Sequence, residues 1–327
     1  MIEILNSEEK YRKYPALSYS KLKMADTEPW NIPKEKLPPG QAMLFGSAID
    51  TMLQPDNRFE EEFVVLDTTL PEKTTVLGKL VNTLWVMQDM SKEAVEVALN
   101  AVGAKQLKLE KALEEIEPWK EKFKLLKSAN ESGKKIISTQ QHSEVLQVVN
   151  SLITNPWCSE YFYTRSDRDL QTLYQPPLVF ELDNVSYKTL PDLIFINHND
   201  KTIKAIDIKH TEKLNDFYKS YIDFRYDIQE ILHTIGTLWY AQEKYPDYKV
   251  LPTEFLVCSK NSYGKVLRFY TENLNHFYRY ANGWSTKYGR KLRSIKQLAD
   301  DLQWYETNGY SERRELVENR GLIKLEI

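Results

Sequence analysis

Two aspartates and a lysine stand close together in the segment LPDLIFINHNDKTIKAIDIKHTEK, residues 190–213. Asp192 follows a proline before one β-prone run, and Asp207 and Lys209 lie in the next run. Two carboxylates and a backbone carbonyl are hard oxygen ligands of the kind that Mg²⁺ or Mn²⁺ prefers, and these ions keep waters for chemistry. The segment is therefore either an ordinary hairpin with a charged, solvated face or two halves of a metal site.

The spacing of the segment predicts how its charged residues are placed. Alternate side chains of a strand share a face, so Asp207 and Lys209 should point to the same side. A turn centred on Asn199 would place Asp192 opposite residue 206 or 207 of the antiparallel partner. Lys209 could then orient or help deprotonate an attacking water, or stabilise the charge of a phosphate.

The acid-x-lysine triplet is weak evidence when taken alone. The same spacing occurs from Glu8 to Lys10 and from Asp247 to Lys249, both in polar surroundings. A solvated cross-strand charge cluster is the alternative interpretation. The setting favours the metal site, because the triplet follows a turn in an apolar run and a helix-like segment comes after it.

Composition excludes several classes of protein. The 327 residues are 42% hydrophobic and 28% charged, which is ordinary for a globular protein, and the formal charge of -3 gives no overall bias toward polyanions. Cys158 and Cys258 are too few for a disulfide framework, a four-thiolate zinc site or an iron–sulfur cluster. No signal peptide or membrane span is indicated, so an intracellular protein is expected.

The patterns along the chain predict an α/β fold. The run AMLFGSAIDTMLQP has apolar residues at helical spacing and predicts a short buried helix that Pro55 ends. Residues from about 75 to 135 are rich in Leu, Ala, Glu and Lys and predict a helical insertion without strands. STQQHSEVLQVVNSLI predicts another helix, with Ser138 or Thr139 as its cap.

The β-prone part of the chain begins after Tyr161. Three runs between residues 178 and 211, separated by turn residues, predict a three-strand antiparallel meander. DIQEILHTIGTLWYAQEKY then predicts a helix, EFLVCS and KVLRFYT predict strands, and the remaining sequence to the end predicts helix.

These blocks together resemble the PD-(D/E)xK nuclease superfamily, and within it the RecE-like and RecB-like exonucleases (exodeoxyribonuclease VIII-like) of phages and bacteria. LSYSKLKMADTEPW is similar to the N-terminal segment of the family, and FGSAIDTMLQP to its helix ending in a metal-binding His. LPDLIFI and AIDIKHT are similar to the two catalytic strands, and YDIQEILH to the helix with a Gln-x-x-x-Tyr motif. The order and rough spacing of all four blocks agree, which is more specific than any one block.

Two positions depart from the family pattern. Asp50 stands where relatives usually carry a metal-binding His, and a carboxylate is also a natural ligand for magnesium. His233 stands where the Tyr of the Gln-x-x-x-Tyr motif is expected, four residues after Gln229 and on the same helix face. An exposed helix residue is the alternative for Asp50, and a half-buried packing residue is the alternative for His233.

The resemblance implies an architecture and a metal site. It implies a restriction-endonuclease-like core with a central mixed sheet flanked by helices, and hydrolysis of a DNA phosphodiester with one or two Mg²⁺ or Mn²⁺ ions. The implied metal ligands are Asp50, Asp192, Asp207 and the carbonyl of Ile208. Lys209 would position the nucleophilic water, and Gln229 would hold DNA or the lysine.

The resemblance and the charges also imply DNA contacts. Ser18, Ser20, Lys21 and His233 are expected to touch the phosphate chain or to brace the site. The segment KYGRKLRSIK contains no acid and supplies five cations: Lys287, Arg290, Lys291, Arg293 and Lys296. A solvated basic helix face is the alternative interpretation of this segment.

Three functions from different classes remain open on the sequence. The first is an exonuclease that digests duplex DNA ends, 5′ to 3′, to give single strands for recombination or replication, as a ring-like homo-oligomer with a single-strand annealing protein as partner. The second is an endonuclease or nickase of the same fold, and the third is a non-catalytic DNA-binding protein. The expected location is the cytoplasm of a bacterial or phage-infected cell.

The domain organisation that we expect is one elaborated nuclease domain over residues 1–327. Within it, residues 1–60 form the N-terminal core segment with the Asp50 helix, and residues 72–137 form the helical insertion. Residues 138–272 form the catalytic core, and residues 273–327 form a C-terminal helical region.

Overall fold

The chain forms two compact units in a computed structural model. One unit is made of residues 1–38 and 150–327, and the other is the continuous segment 39–149. The structure describes residues 2–5, 7–32, 40–66, 71–72, 74–104, 107–162, 169–259, 264–272, 275–310 and 312–321. The predicted boundaries at residues 72 and 137 lie inside the second unit.

The helices lie in two parts of the chain, before residue 155 and after residue 216. They are α1 Glu8–Lys13, α2 Tyr19–Thr27, α3 Gln41–Leu53, α4 Phe59–Glu62, α5 Val76–Met87, α6 Lys92–Ala101, α7 Leu109–Glu131, α8 Thr139–Thr154, α9 Phe217–Asp223, α10 Tyr226–Lys244, α11 His276–Asn282, α12 Ile295–Asn308 and α13 Arg314–Glu318. Short 3-10 helices cover Pro29–Asn31, Ser159–Tyr161 and Leu214–Asp216.

The strands lie mainly between residues 170 and 269. They are β1 Ile2–Ile4, β2 Phe63–Val65, β3 Lys135–Ile137, β4 Leu170–Tyr174, β5 Leu178–Leu182, β6 Val185–Thr189, β7 Leu193–Asn197, β8 Thr202–Thr211, β9 Lys249–Val250, β10 Glu254–Ser259, β11 Val266–Phe269, β12 Trp284–Ser285 and β13 Lys291–Leu292.

The first unit has a central mixed sheet flanked by helices, so the predicted fold class is confirmed. The strand order is β11-β10-β8-β7-β4, and β9 also pairs with β8. β10 is parallel to β8, and α10 lies between them in the chain, as a parallel connection requires. The other pairings along this order are antiparallel. The apolar side of α10 packs with strand residues in one core, which includes Ile194, Ile196, Ile203, Ile228, Ile231 and Ile235.

The predicted three-strand meander is wrong. The middle run is two strands, β6 and β7, and they belong to different sheets. β5 and β6 form a hairpin in the sheet β1-β5-β6, whereas β7 and β8 form a hairpin in the central sheet. The break lies at Leu190–Asp192, because Pro191 has no N–H to donate to a continuing ladder.

The second unit is largely helical, as its composition predicts. Helices α5, α6 and α7 bury a common core that includes Leu80, Leu84, Val95, Ala98, Ala112 and Ile116. Thr75 caps α5 and Ser91 caps α6, each by accepting a hydrogen bond from a backbone N–H of the first turn. β2 pairs in parallel with β3, a strand within the predicted insertion where the sequence predicted none. Ser138 caps α8 as predicted, since its Oγ accepts from the Gln141 N–H at 3.1 Å.

The C-terminal part of the chain is not entirely helical. Between α11 and α12, strands β12 and β13 form a short hairpin, with Trp284 opposite Leu292. The segment KYGRKLRSIK therefore begins in a hairpin loop and not on a helix face, which corrects that part of the sequence interpretation. In the described part of the chain, no helix combines the length and the apolar character needed to cross a membrane.

Candidate active site at the β7–β8 hairpin

The backbone at Pro191–Asp192 places the Asp192 side chain beside strand β8. The ladder pairs Leu193 with Ile206, so Asp192 comes opposite residue 207, which is one of the two positions that the turn spacing predicted. The Asp192 Oδ2 accepts a hydrogen bond from the N–H of Ile208 at 2.6 Å. A side-chain carboxylate thus replaces the backbone ladder at the point where the proline interrupts it.

Asp207 and Lys209 lie on the same face of β8, as predicted. Asp207 is only 1% exposed, and one of its oxygens, Oδ2, forms an ion pair with the Lys209 ammonium. The ammonium also lies 4.8 Å from the centre of the Tyr226 ring. A buried acid and a half-buried lysine therefore form one ion pair, and not a solvated charge cluster.

Helix α10 supplies two more side chains to Asp207. The Gln229 Nε2 donates to the Asp207 Oδ1 at 2.7 Å. One turn later the His233 Nε2 lies 3.3 Å from the same oxygen, and the His233 Nδ1 lies 2.5 Å from the Thr189 Oγ1. If the threonine hydroxyl donates to Nδ1, the imidazole is neutral and its Nε2–H donates to Asp207. The spacing of Gln229 and His233 thus directs both at one carboxylate.

The charges of the site shift the pKa values in defined directions. Burial alone would raise the pKa of Asp207, but the Lys209 ammonium and the His233 hydrogen bond outweigh it and hold this pKa below its ordinary value. Burial would lower the pKa of Lys209, but the Asp207 and Asp192 carboxylates outweigh burial and raise that pKa. The pair is therefore carboxylate and ammonium near neutral pH, and the lysine is a hydrogen-bond donor.

The site has oxygen acceptors in excess of its donors. The Gln229 Oε1 is buried without a hydrogen-bond partner among the described residues. The Asp207 Oδ2 has only the Lys209 ion pair there and no further hydrogen bond. Buried acceptors of this kind are costly unless a ligand, an ion or a water satisfies them.

The donor set fits a hard divalent cation. In the described part of the chain, no three His, Cys, Asp or Glu side chains are grouped so that they could hold a metal. Mg²⁺, however, is commonly bound by one or two carboxylates, with water and substrate phosphate completing its shell. Asp192 and Asp207 supply these two carboxylates beside the buried Gln229 oxygen, so the residues present suit such an ion.

The position of His233 does not suit the contact with DNA that the sequence predicted. It is 2% exposed, and both ring nitrogens face protein groups, so it is not placed to touch a phosphate chain. Thr189, which orients it, was not identified from the sequence, because a threonine at the end of an ordinary strand carries no signal. The His233 ring belongs to the support of Asp207.

The N-terminal motif contributes a residue that the sequence interpretation missed. Ser18 caps α2 by accepting from the Lys21 N–H at 3.5 Å, Ser20 is exposed, and the Lys21 Nζ lies 3.5 Å from a Glu306 oxygen. Tyr19, between the two serines, has its ring centre 6.4 Å from that of Tyr226. Burial, with Tyr226 and then Asp207, raises the pKa of Tyr19. The signal for Tyr19 lay inside the LSYSKL motif.

The remaining predicted ligands have less defined surroundings. Asp50 is a half-buried residue of α3 in the second unit, and its role as a ligand stays a prediction. Ile208 pairs with Leu256 of β10, and a metal contact of its carbonyl also stays a prediction.

The basic segment is partly neutralised by acids from distant parts of the chain. Arg290 pairs with Asp223 at 3.0 Å, and Lys296 pairs with Asp183 at 3.2 Å. Arg293 pairs with Asp301 and lies 3.8 Å from Asp26. Among the described residues, the cations of this segment with no carboxylate partner are Lys287 and Lys291.

Comparisons with known proteins give a limited result. No family model matches the chain, and no curated protein matches it. Among solved structures, the chain is similar to a "putative exonuclease" from Eubacterium rectale, with a TM-score of 0.47 and 11% identity over 99% of this chain and 97% of that chain.

Proposed function

We propose that the protein is a Mg²⁺- or Mn²⁺-dependent deoxyribonuclease that hydrolyses phosphodiester bonds from the ends of duplex DNA, in the 5′ to 3′ direction. The observation that carries the proposal is the junction of Asp192, Asp207 and Lys209 across the β7–β8 hairpin. The Asp192 carboxylate accepts a hydrogen bond from the Ile208 N–H. The neighbouring Asp207 carboxylate forms an ion pair with Lys209 and accepts a hydrogen bond from Gln229. A buried and a half-buried acid with acceptors in excess, beside an ammonium, suit a bound cation and a phosphate.

Each residue of the site has a role that follows from its contacts. Asp192 and Asp207 would hold the metal ion, which when bound lowers the pKa of a water and polarises the phosphate. Lys209 donates hydrogen bonds and stabilises charge that develops on the phosphate oxygens. Gln229 fixes one oxygen of Asp207, and its own oxygen, which has no hydrogen-bond partner among the described residues, can accept from a water. His233 is a positioning residue that acts through Asp207.

The test uses end-labelled linear duplex and covalently closed circular DNA, each with Mg²⁺ and with a chelator. The purified protein is compared with Asp207→Ala and with a control, Asp247→Ala. Asp247 is an exposed acid that pairs with Lys201, so its loss should not alter the site. We expect degradation of linear DNA only, only with metal, and not by Asp207→Ala. The position of the label then gives the direction of digestion.

Three results would contradict the proposal. Cutting of the closed circle would identify an endonuclease, since a circle has no end from which digestion could start. No cutting of either DNA by a folded protein that still binds DNA would identify a non-catalytic binding protein. Equal loss of activity in both variants would show that the site does not carry the reaction.

A further inference from the structure

The hairpin β12–β13 carries an exposed aromatic ring at its tip. Tyr288 is 78% exposed, and its ring centre lies 6.2 Å from that of Tyr218. The Lys287 Nζ lies 5.0 Å from the centre of the Tyr288 ring and 5.1 Å from that of Tyr218. The loop thus presents a ring face and an ammonium together, without a carboxylate partner for that ammonium among the described residues.

A cavity with several charged residues in its lining lies at the base of the same hairpin. Its volume is about 720 Å³, and its lining includes Trp284, Lys291, Arg293, Tyr278 and Arg279, with Glu272 as the acid. Arg279 is held by Glu230, and Arg293 by Asp301. Lys291 is the cation of this lining that has no carboxylate partner in the described part of the chain, so its charge is available to an anion.

Trp284 fixes the base of the hairpin to the helix that serves the active site. Its Nε1 donates to the Asp227 Oδ2 at 3.0 Å, and Asp227 precedes Gln229 by two residues on α10. The Arg279 guanidinium lies 5.0 Å from the centre of the Trp284 ring. A strand held at the hairpin would therefore be held on the same rigid element that positions Gln229 against Asp207.

We propose that the hairpin β12–β13 and the cavity at its base bind single-stranded nucleic acid. An unpaired base stacks on the Tyr288 ring, and backbone phosphates pair with Lys287 and Lys291. The proposal rests on the proposed function, from which we take DNA as the polymer. It adds a binding site for one unpaired DNA strand. Alternation of exposed rings and unpaired cations is the chemistry that single strands recognise, because every unpaired base has a free π-face.

A single strand suits this surface better than a duplex does. In a duplex the base faces are already stacked on their neighbours and only base edges and the backbone are exposed, so an exposed ring would gain little. The tip of the hairpin offers the ring, while Lys291 lies in the second strand at the base. Ring and cation on one short hairpin match contacts to a base and to a nearby phosphate.

The test measures binding of fluorescein-labelled oligothymidine to the full chain by fluorescence anisotropy, in chelator so that no hydrolysis occurs. The variants are Tyr288→Ala, Tyr288→Phe and Lys291→Ala. Trp157→Ala and Lys249→Ala are the matched controls, since Trp157 is 58% exposed and Lys249 is exposed on β9. Blunt duplex of the same length is measured in parallel, and the melting temperature and sedimentation of each variant show that it folds.

We expect Tyr288→Ala to raise the Kd for oligothymidine roughly 5- to 100-fold, because one stacked base is lost. Tyr288→Phe keeps the ring and should bind as the wild type does. Lys291→Ala should lower the slope of log K against log salt by about 0.7, which is the loss of one phosphate contact on a single strand. The controls should leave the Kd and the slope unchanged.

Three results would overturn the inference. They are an unchanged Kd for Tyr288→Ala, an equal loss of affinity for blunt duplex, or a change in oligomeric state without a change in binding. The last would mark the hairpin as a contact between copies of the chain. Failure of the proposed function is distinguishable, because Asp207→Ala should bind oligothymidine normally while hydrolysing nothing. Binding at the hairpin with an inactive wild type would refute only the hydrolysis.

Discussion

Strand β8 presents buried charges on both of its faces, and the two sets differ in kind. On one face the Lys204 Nζ donates to the Tyr161 Oη at 2.6 Å and to Glu254 at 2.9 Å. Arg268 closes that network through Glu254 at 2.6 Å and Tyr161 at 2.7 Å. On the other face, the buried Asp207 Oδ2 has only the Lys209 ion pair, and the buried Gln229 Oε1 has no hydrogen-bond partner among the described residues.

The difference separates a structural charge cluster from a site. A closed network stabilises the sheet, because each polar atom has found a partner at folding. An open one carries a cost that is justified only where a ligand later completes it. Residue type and strand position are alike at Lys204 and Lys209, so it is the balance of donors and acceptors that distinguishes them.

Substitution of the two lysines of β8 tests this comparison most strongly. We expect Lys209→Ala to lower the rate of DNA hydrolysis by about 10²- to 10³-fold, because one donor to the phosphate is lost. Lys204→Ala should leave the rate within a small factor and lower the stability. Initial rates with Mg²⁺ and chemical unfolding of both variants give the two readouts. Equal rate losses would show that the two faces do not differ in function.

Removal of the anion from the closed network should affect stability alone. Glu254→Gln leaves Lys204 and Arg268 facing each other without a carboxylate, and we expect a loss of about 2 to 3 kcal/mol. Arg268 is partly exposed, so water moderates the loss. Urea unfolding measures the change, and the hydrolysis rate of the folded variant should match the wild type. A stable but inactive variant would contradict the structural assignment.

A buried charge network on α10 itself predicts a pH dependence. Glu230 accepts hydrogen bonds from His276 and Thr271 and pairs with Arg279. Burial would raise the pKa of Glu230, but His276 and Arg279 outweigh it and lower this pKa to about 2. Since the folded pKa lies below the unfolded one, the stability from this group is present above about pH 4.5 and is lost as the pH falls toward 2.

Glu230→Gln should therefore flatten the acid side of the stability curve. The wild type loses free energy of unfolding between about pH 4.5 and 2, whereas the variant starts lower at pH 7 and loses less over the same window. Urea unfolding at several pH values measures both curves. Parallel curves for the two proteins would exclude Glu230 as the source of the acid sensitivity.

The smallest expected effect comes from a substitution at Gly236, which tests how tightly α10 packs beside the Asp207 face of β8. A methyl group at Gly236 of α10 would lie 2.8 Å from the Thr189 Cγ2 and 3.3 Å from a Phe180 ring carbon. Gly236→Ala should cost about 1 to 2 kcal/mol and shift Thr189 away from His233, with a several-fold loss of rate. Gln242→Ala, an exposed position of the same helix, is the control. An unchanged rate with lowered stability would separate packing from positioning.

The sequence predicted the parts of the site that depend on short-range geometry. A tight turn at residues 198–201 fixes the register of β7 and β8, so counting residues predicted Asp192 opposite residue 206 or 207, and the register places it opposite residue 207. The helical spacing of Gln229 and His233 likewise followed from the period of α10. The change of sheet at Pro191 was not predicted, because a proline inside an apolar run does not say which sheet each half of the run joins.

Long-range pairing lay outside what the sequence could predict. The acids that neutralise Arg290, Arg293 and Lys296 come from positions scattered between residues 26 and 301. The parallel pairing of β8 with β10 depends on a helix folding back over the sheet, and local patterns carry no sign of it. Tyr226 and Thr189 likewise reach the site only through the tertiary fold.

The division of the chain into two units has a consequence for the order in which the units fold during synthesis. β1 pairs with β5, with Ile2 opposite Phe180, so the first strand waits for a partner far along the chain. At a synthesis rate of about 5 to 20 residues per second, this wait lasts roughly 10 to 35 s. The continuous segment 39–149 has been synthesised in full by then. On the ribosome, the inserted unit is therefore expected to fold before the unit that contains the amino terminus.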